Sequence, residues 1–287
     1  MDLISIKDVC QCKAMSLIIF TGLDGMLFSA SELDYQPIAA VAQKLQQENI
    51  PLIPVTTKTR AEVEGLLANL KLKTPFVVEH GSGIFVPQDN INFSTPETSI
   101  LDNYHLHQLG CSYTAARAGL KVVQEEINKI LRGFGDMDEE NIQSLIDSSQ
   151  AARQAKSREF SEYFLTPSRL EIKQLQQVAE DYGFRIFPRD NLSLIIGQGA
   201  SNNQAIQWLV DNYQTTGDNK LQTVGLGCTE QDLDLLETID IPVIIPTSQG
   251  IAPCFADKDW QVVKNIGVDG WLESLTLPQL NIRSILG

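Results

Sequence analysis

Apolar and polar positions along the chain follow two different periods, which predict the order of strands and helices. Fully apolar runs bounded by turn residues predict buried strands at 17–21, 50–55 and 75–78. Between them, apolar residues recur every three or four positions and predict helices over 37–48 and 61–70. Buried strands that alternate with amphipathic helices are typical of an α/β fold, a doubly wound parallel sheet with helices on both faces.

The rhythm changes in the middle of the chain and returns after residue 200. The middle part contains two long helical patterns and three short strand patterns, at 114–131, 167–182, 162–166, 184–187 and 192–196. Helices grouped with short strands predict a small α+β domain inserted into the sheet domain. The predicted division is an N-terminal extension at 1–16, a discontinuous core domain at 17–87 and 198–287, and an inserted cap at 88–197.

The charge balance limits the kinds of partner that this chain can attract. It has 22 basic and 36 acidic residues, a formal charge of −14, and no basic stripe. Nucleic acid and anionic membrane surfaces are therefore excluded as expected partners. No apolar run approaches the roughly 18 residues of a membrane span, and residues 1–16 lack the apolar stretch of a secretion signal.

The cysteines point to a reducing compartment. They are odd in number and scattered, at Cys10, Cys12, Cys111, Cys228 and Cys254. Such spacing predicts free thiols and a cytoplasmic protein rather than a disulfide framework. The Cys10–Cys12 spacing does not match a usual metal-binding pair, so we expect no metal there.

Glycine, hydroxyl and charged residues collect where the predicted strands end. The stretches are TGLDGM (21–26), TTKT (56–59), EHGSG (79–83) and GLGCTEQD (225–232), joined by GQGASNNQA (197–205) at the start of a helix. In a parallel sheet, ligands bind beyond the carboxyl ends of the strands. Backbone amides and helix N-termini at such a place favour an anion. The sequence therefore predicts a phosphate-type pocket at this edge.

Five longer stretches carry a family resemblance. They are SELDYQP (31–37), TTKTRAEV (56–63), GFGDMDEE (133–140), AKSREFSEYFL (155–165) and TVGLGCTEQDLDLLETIDIPVII (223–245). In this order they resemble the mannosyl-3-phosphoglycerate phosphatase family of the haloacid dehalogenase (HAD) superfamily, over residues 17 to 245. The resemblance implies a HAD-like core with an inserted α+β cap, and an ancestral Mg²⁺-dependent sugar-phosphate phosphatase activity.

The resemblance also implies roles for individual residues. The general acid of the family corresponds to Asp24, and the hydroxyl motif at the second strand end corresponds to Thr56 with Lys58 beside it. The expected ligand-binding residues are Thr56, Lys58, Glu79, Arg158 and Glu162. Four of these residues also have an ordinary structural explanation: Asp24 could satisfy turn amides and Thr56 could cap a helix, and Arg158 and Glu162 could form a solvated pair.

Three positions depart from the family pattern. Gly22 stands where the family has its nucleophilic Asp, Asn202 stands at the cationic position, and Cys228 replaces an Asp of the last motif, in which only Asp232 survives. A glycine cannot attack phosphorus, an amide cannot replace a cation beside a phosphoryl group, and a thiol suits Mg²⁺ poorly. No His is placed to activate Cys228 as a nucleophile.

These departures predict that the phosphatase chemistry is lost. Asp232 is then a weak or lost metal ligand, or an acid that the helix dipole favours. We expect no cofactor, and Mg²⁺ only if hydrolysis survives.

Three functions remain open at this point. The first is a non-catalytic homologue that binds a phosphorylated or carboxylated sugar derivative, or a protein partner. The second is an active or residual Mg²⁺-dependent phosphatase of the mannosyl-3-phosphoglycerate type. The third is a purely structural interaction module, which we expect to take the place of ligand binding if Arg158 points into solvent or if side chains fill the pocket beside Gly22.

Overall fold

The structure of the protein is a computed structural model that describes residues 16–26, 36–146, 149–166, 172–189, 191–215, 220–280 and 282. Residues 1–15 of the expected extension, most of the SELDYQP stretch and the loop at 216–219 lie outside the described residues. The described strands are β1 (Ser16–Thr21), β2 (Leu52–Pro54), β3 (Phe76–Val78), β4 (Gly83–Pro87), β5 (Ser99–Leu101), β6 (Tyr104–Gln108), β7 (Ser161–Leu165), β8 (Phe184–Arg189), β9 (Leu192–Gly197), β10 (Leu221–Gly227), β11 (Ile241–Ile244) and β12 (Gln261–Val262).

The described α-helices are α1 (Gln36–Gln47), α2 (Arg60–Leu70), α3 (Tyr113–Ile127), α4 (Glu139–Ile146), α5 (Ser149–Ala155), α6 (Ile172–Asp181), α7 (Asn202–Asp211), α8 (Leu233–Thr238) and α9 (Gly267–Ser274). None of these helices combines the length and the apolar character needed to cross a membrane. The helix expected over 114–131 ends at Ile127, because Asn128 takes a left-handed conformation with φ of 50°. A 3₁₀ turn at Glu230–Asp232 directly precedes α8.

A parallel five-stranded sheet forms the centre of the fold, in the order β12-β11-β10-β1-β2. β1 lies between β10 and β2, with Ile19 opposite both Val224 and Leu52. Successive residues of β1 face opposite sides, so Ile19 joins one apolar cluster and Phe20 the other. A strand buried on both faces is apolar along its centre, which is why residues 17–20 of β1 are an unbroken apolar run.

Helices cover both faces of this sheet. Ile38 of α1, Val63 of α2 and Trp271 of α9 pack into the cluster on one face. Ile206 of α7 and Leu235 of α8 pack into the cluster on the other face. The predicted α/β fold with a parallel central sheet is confirmed.

The third predicted strand is present as β3, but it extends the parallel series only in part. Among the described residues, β3 meets the central sheet through one isolated parallel bridge, between Val55 and Val77. It belongs instead to an antiparallel sheet in the order β3-β4-β6-β5. The reason is local: the turn that follows β3 reverses the chain at once, so that Phe76 pairs with Phe85 of β4.

A second antiparallel sheet, in the order β7-β9-β8, forms the centre of the middle part of the chain. The apolar cluster on one side of it joins α3 and α6 through Leu120, Val123 and Leu175. The strands predicted at 184–187 and 192–196 are present as β8 and β9, which pair antiparallel. The predicted domain boundaries stay a prediction, although Phe93 and Leu106, beyond residue 88, pack into the clusters of the central sheet.

Candidate functional site

Asp24 lies in the turn after β1, and its carboxylate contacts three side chains of the TTKT stretch. Lys58 Nζ lies 3.2 Å from Oδ1, while the hydroxyls of Thr57 and Thr56 donate to Oδ2 at 3.2 and 3.4 Å. β1 and β2 are neighbouring parallel strands, so the residues after them meet at one edge of the sheet. The structure therefore brings Asp24, Thr56 and Lys58 together, as their sequence positions predict.

Gly22, at the expected nucleophile position, is buried against Asp232 from the neighbouring strand end. An ideal Cβ atom built on Gly22 would lie 2.7 Å from Cγ of Asp232 and closer still to Oδ1. Real Cβ contacts of this kind almost never occur below 3.0 Å. The carboxyl group of Asp232 thus takes up the room that a side chain at position 22 would need.

Asp232 is held in this place by the chain that precedes it. Its Oδ2 accepts the backbone N–H groups of Cys228 and Thr229, both at 2.9 Å, and the Thr229 hydroxyl at 3.1 Å. Asp232 is only 5% exposed. Burial raises the pKa of its carboxyl to about 6, and the nearby charge of Asp24 adds to the rise, while the amide donors act against it.

Cys228 is a buried thiol rather than an exposed nucleophile. It is 1% exposed, and its Sγ donates to the backbone carbonyl of Asp24 at 2.9 Å. Burial, with Asp232 and Asp24 nearby, raises the pKa of the thiol well above its ordinary value. A protonated, buried sulfur of this kind is unreactive.

The groups around Gly22 fit Mg²⁺ poorly. The Asp24 carbonyl accepts the Cys228 thiol, and the Asp232 carboxylate is engaged by backbone amides. Within the described residues no three His, Cys, Asp or Glu side chains converge in a way that could hold a metal ion. Mg²⁺ prefers several hard oxygen ligands in octahedral geometry, which this donor set lacks.

Asn202 begins α7 and faces the same place. It is 6% exposed, and its Oδ1 has no hydrogen-bond partner among the described residues. It lines a small space with Asp24, Thr56 and Asp232 that has no room for a water-sized sphere. This space between Asp24, Asn202 and Asp232 is therefore too small for a phosphoryl group.

Arg158, from the chain just before β7, points towards the strand ends and not into solvent. Its Nη2 donates to the backbone carbonyl of Thr57 at 3.3 Å, and its Nη1 donates to Ser161 Oγ at 2.9 Å. The guanidinium lies 4.4 Å from the centre of the Tyr163 ring. Its Nε is buried and has no hydrogen-bond partner within the described part of the chain.

Glu79 is a fully buried carboxylate behind Arg158. It accepts the backbone N–H groups of Glu159 at 2.9 Å and Phe160 at 3.3 Å, and the Ser161 hydroxyl. Arg158 Nη1 lies 3.5 Å from it. Burial raises the pKa of Glu79, while Arg158 and the other donors act against that rise. The structure places Glu79 as the support of residues 158–161, and it does not line the cavity described below.

The turn that carries Glu79 has an unusual backbone. Glu79, His80 and Gly81 have φ angles of 48°, 60° and 79°, and left-handed conformations cost free energy for residues other than glycine. The same turn also makes backbone hydrogen bonds to two other segments of the chain. The Ser82 carbonyl accepts the N–H groups of residues 109 and 110, and the Gly81 carbonyl accepts that of residue 201.

Glu162, the other acidic residue that we expected to bind a ligand besides Glu79, lies away from the strand ends. It is 1% exposed, and its carboxylate accepts Arg117 Nη1 at 2.8 Å and the Gly135 N–H at 2.9 Å. Arg117 also binds Asp136 of the GFGD stretch. The structure therefore gives Glu162 internal partners in place of the expected ligand contact or solvated pair, and does not bring it to Asp24.

A cavity of about 470 Å³ opens between the strand ends and the middle part of the chain. Its lining includes the expected residues Asp24, Lys58 and Arg158, and further residues that the sequence analysis missed, namely Thr57, Glu62, Phe134, Leu145, Ile146, Gln154, Ala155, Tyr163, Asn191 and Leu192. This volume is typical of small-molecule pockets, which measure about 300–1,000 Å³. Glu62 lies in the TTKTRAEV stretch and Tyr163 in the AKSREFSEYFL stretch. These two stretches were the sequence signals that could have identified them.

Comparisons with known proteins identify the family. No family model matches the chain. It is 31% identical over 231 residues to a glucosyl-3-phosphoglycerate/mannosyl-3-phosphoglycerate phosphatase of Persephonella marina, covering 80% of this chain and 85% of that protein. A protein of the same description from Methanococcoides burtonii is 28% identical over 260 residues, covering 90% of this chain and 95% of that protein.

A solved structure agrees at the level of the fold. A protein of Bacteroides thetaiotaomicron, described among the phosphatases of the HAD superfamily, superposes with a TM-score of 0.63 at 12% identity, covering 97% of this chain and all of that one. The fold is therefore that of a HAD-like hydrolase with a parallel core. The chain belongs to the mannosyl-3-phosphoglycerate phosphatase family of the HAD superfamily.

Proposed function

We propose that this protein is a non-catalytic member of its family that binds a phosphorylated or carboxylated sugar derivative without hydrolysing it. One observation carries the proposal: the Asp232 carboxyl group occupies the room beside Gly22 that a nucleophilic side chain would need. Hydrolysis through an aspartyl-phosphate requires a carboxylate at that point. Neither the Gly22 backbone nor the buried Cys228 thiol supplies one.

The ligand would occupy the open cavity beyond the closed space beside Gly22. Lys58 and Arg158 line that cavity from the strand end and from the segment before β7. A lysine offers a mobile point charge and an arginine offers a planar fork for a carboxylate or phosphate. The filled space beside Gly22 is the outcome that we expected to replace ligand binding by an interaction module. The separate cavity lined by Lys58 and Arg158, and the inward direction of Arg158, support a small ligand instead.

The second candidate is a working phosphatase, and the relatives favour it. Both curated relatives are described as phosphatases, and Asp24, Thr56 and Lys58 are together at the strand ends. Such an enzyme would need a nucleophile and a metal site other than those of the family. We propose that Mg²⁺ is not required for ligand binding, because the donor set around Asp232 suits it poorly.

Phosphate release separates the two candidates. Purified protein with Mg²⁺ and glucosyl- or mannosyl-3-phosphoglycerate should give only background release, with the Persephonella marina relative as the positive control. Turnover on the order of 1 s⁻¹, an ordinary enzyme rate, that disappears in Asp24→Asn would establish the phosphatase instead.

Calorimetry tests the binding itself. Lys58→Ala and Arg158→Ala should each weaken binding of the sugar derivative by roughly 1–3 kcal/mol, the scale of a lost charged hydrogen bond. Lys129→Ala, at an exposed position that follows α3 and does not line the cavity, serves as the matched control. If neither phosphorylated nor carboxylated sugar derivatives bind, the interaction module replaces the ligand-binding function.

A further inference from the structure

The charged residues that line the 470 Å³ cavity are balanced. Among the described lining residues, Asp24 and Glu62 are acidic, while Lys58 and Arg158 are basic. Lys58 lies 3.2 Å from Asp24, and Arg158 has Glu79 directly behind it. A phosphate monoester carries about −1.5 to −2 charge at neutral pH. This lining has no excess of positive charge to balance such a ligand.

The backbone donors that would suit a phosphate are already used inside the protein. The N–H groups of Cys228 and Thr229 donate to Asp232, which acts as an internal anion at that strand end. The Lys58 N–H donates to Thr56 Oγ1 at 3.2 Å, and the Thr57 hydroxyl donates to Asp24. A bound phosphate would have to displace these contacts. The hydrogen bonds lost inside the protein would offset those gained with the phosphate.

The groups that remain fit a carboxylate and sugar hydroxyls. Arg158 lines the cavity, and its Nη1 and Nη2, which carry two N–H groups each, donate to Ser161 Oγ and to the Thr57 carbonyl. A guanidinium edge matches the planar geometry of a carboxylate. Gln154 and Asn191 provide amide groups in the lining, which can both donate to and accept from hydroxyls.

The rest of the lining is apolar. Phe134, Leu145, Ile146 and Leu192 contribute to it on the side of the middle part of the chain. Such side chains suit the C–H face of a sugar ring and not a dianion. The apolar lining and the balanced charge therefore both favour a ligand without a phosphate group.

We infer that the ligand is a non-phosphorylated sugar acid, a glycoside that carries one carboxylate. This inference rests on the proposed function and narrows its ligand class. The chemistry of the compounds named for the relatives defines the class, because loss of phosphate from a glycosyl-3-phosphoglycerate leaves a glycosylglycerate. The protein would then bind what a phosphatase of this kind produces.

Three probes on the full-length protein test the inference by calorimetry: glucosylglycerate, glucosyl-3-phosphoglycerate and inorganic phosphate. Glucosylglycerate should bind at least about tenfold more tightly than its phosphorylated form, and inorganic phosphate should not bind. Equal or tighter binding of the phosphorylated compound would overturn the inference and leave the proposed function standing. Failure of both sugar compounds to bind would overturn the proposed function itself.

A charge-neutral substitution tests the physical reason. Glu62→Gln keeps an acceptor for the N–H and hydroxyl of Thr59 but removes one negative charge from the lining. It should narrow the preference for the non-phosphorylated compound by about fivefold to tenfold. Glu125→Gln, exposed on α3, should leave that preference unchanged. An unchanged preference in Glu62→Gln would contradict the charge argument.

Discussion

The carboxyl group of Asp232 fills the space beside Gly22, although 210 residues separate them along the chain. They meet because β1 and β10 are neighbouring parallel strands, and each is followed at once by a turn at the same edge. The Asp232 carboxylate is fixed there by the N–H groups of Cys228 and Thr229. A side chain at position 22 would therefore have to displace the Asp232 carboxyl group.

Even the smallest side chain at position 22 should destabilise the protein. Gly22→Ala places a Cβ atom within 2.7 Å of Asp232 Cγ, and overpacking of this kind costs roughly 1–3 kcal/mol. Urea unfolding measures the loss. Gly65→Ala is the matched control, because Gly65 is exposed in α2 with open space around its Cα, and alanine there should stabilise by about 0.5–1 kcal/mol.

The coupling can be measured directly with a double-mutant cycle. In an Asp232→Ala background, Gly22→Ala should lose most of its cost, because the conflicting carboxyl group is gone. Equal costs of Gly22→Ala in both backgrounds would show that Asp232 does not compete for this space.

Asp232 should make stability depend on pH. Because burial raises its pKa to about 6, the folded state binds this proton more tightly than the unfolded chain does. The resulting stabilisation is fully present below the ordinary pKa of aspartate and is lost as the pH rises through about 6. Relative to Asp232→Asn, the wild-type protein should therefore lose on the order of 2 kcal/mol between about pH 4 and 7.5.

Urea unfolding of both proteins across this pH range measures the effect. Asp257→Asn, at an exposed position, is the control and should follow the wild-type curve. A wild-type protein that keeps or gains stability relative to Asp232→Asn as the pH rises would contradict the raised pKa.

Cys228 should be chemically inert in the folded protein. Its thiol is buried and its pKa is raised, whereas Cys111 and Cys254 are partly exposed. Iodoacetamide at pH 8 should modify Cys254 and Cys111 in the native protein, and Cys228 only after unfolding, as mapped by peptide mass spectrometry. Rapid native labelling of Cys228 would revive the hypothesis that it is a nucleophile.

Glu79 should be essential for the segment that positions Arg158. Glu79→Ala leaves a buried guanidinium and two backbone amides without their carboxylate, and breaking a buried ion pair costs about 3–5 kcal/mol. Hydrogen exchange at Glu159 and Phe160 should accelerate in this variant. Glu79→Gln should cost less because it keeps an acceptor, and exchange rates that match the wild type in Glu79→Ala would disprove the supporting role.

The sequence by itself was sufficient for the core fold and for part of the site. Strands buried on both faces leave apolar runs, and the helices that cover them leave a regular period, so the sequence alone predicts β1 and β2. Because parallel strands end at one edge, the residues that follow β1 and β2 must meet, which placed Asp24, Thr56 and Lys58 together.

Only the tertiary structure decided what the remaining residues do. No local pattern shows that Glu79 and Glu162 bind internal donors, since Glu162 meets Arg117 across 45 positions and Glu79 meets Glu159 across 80. The reversal after β3 depends on three successive left-handed residues, two of which are not glycine. The filling of the space beside Gly22 depends on the direction of one side chain, and packing between distant segments determines that direction, not the sequence near it.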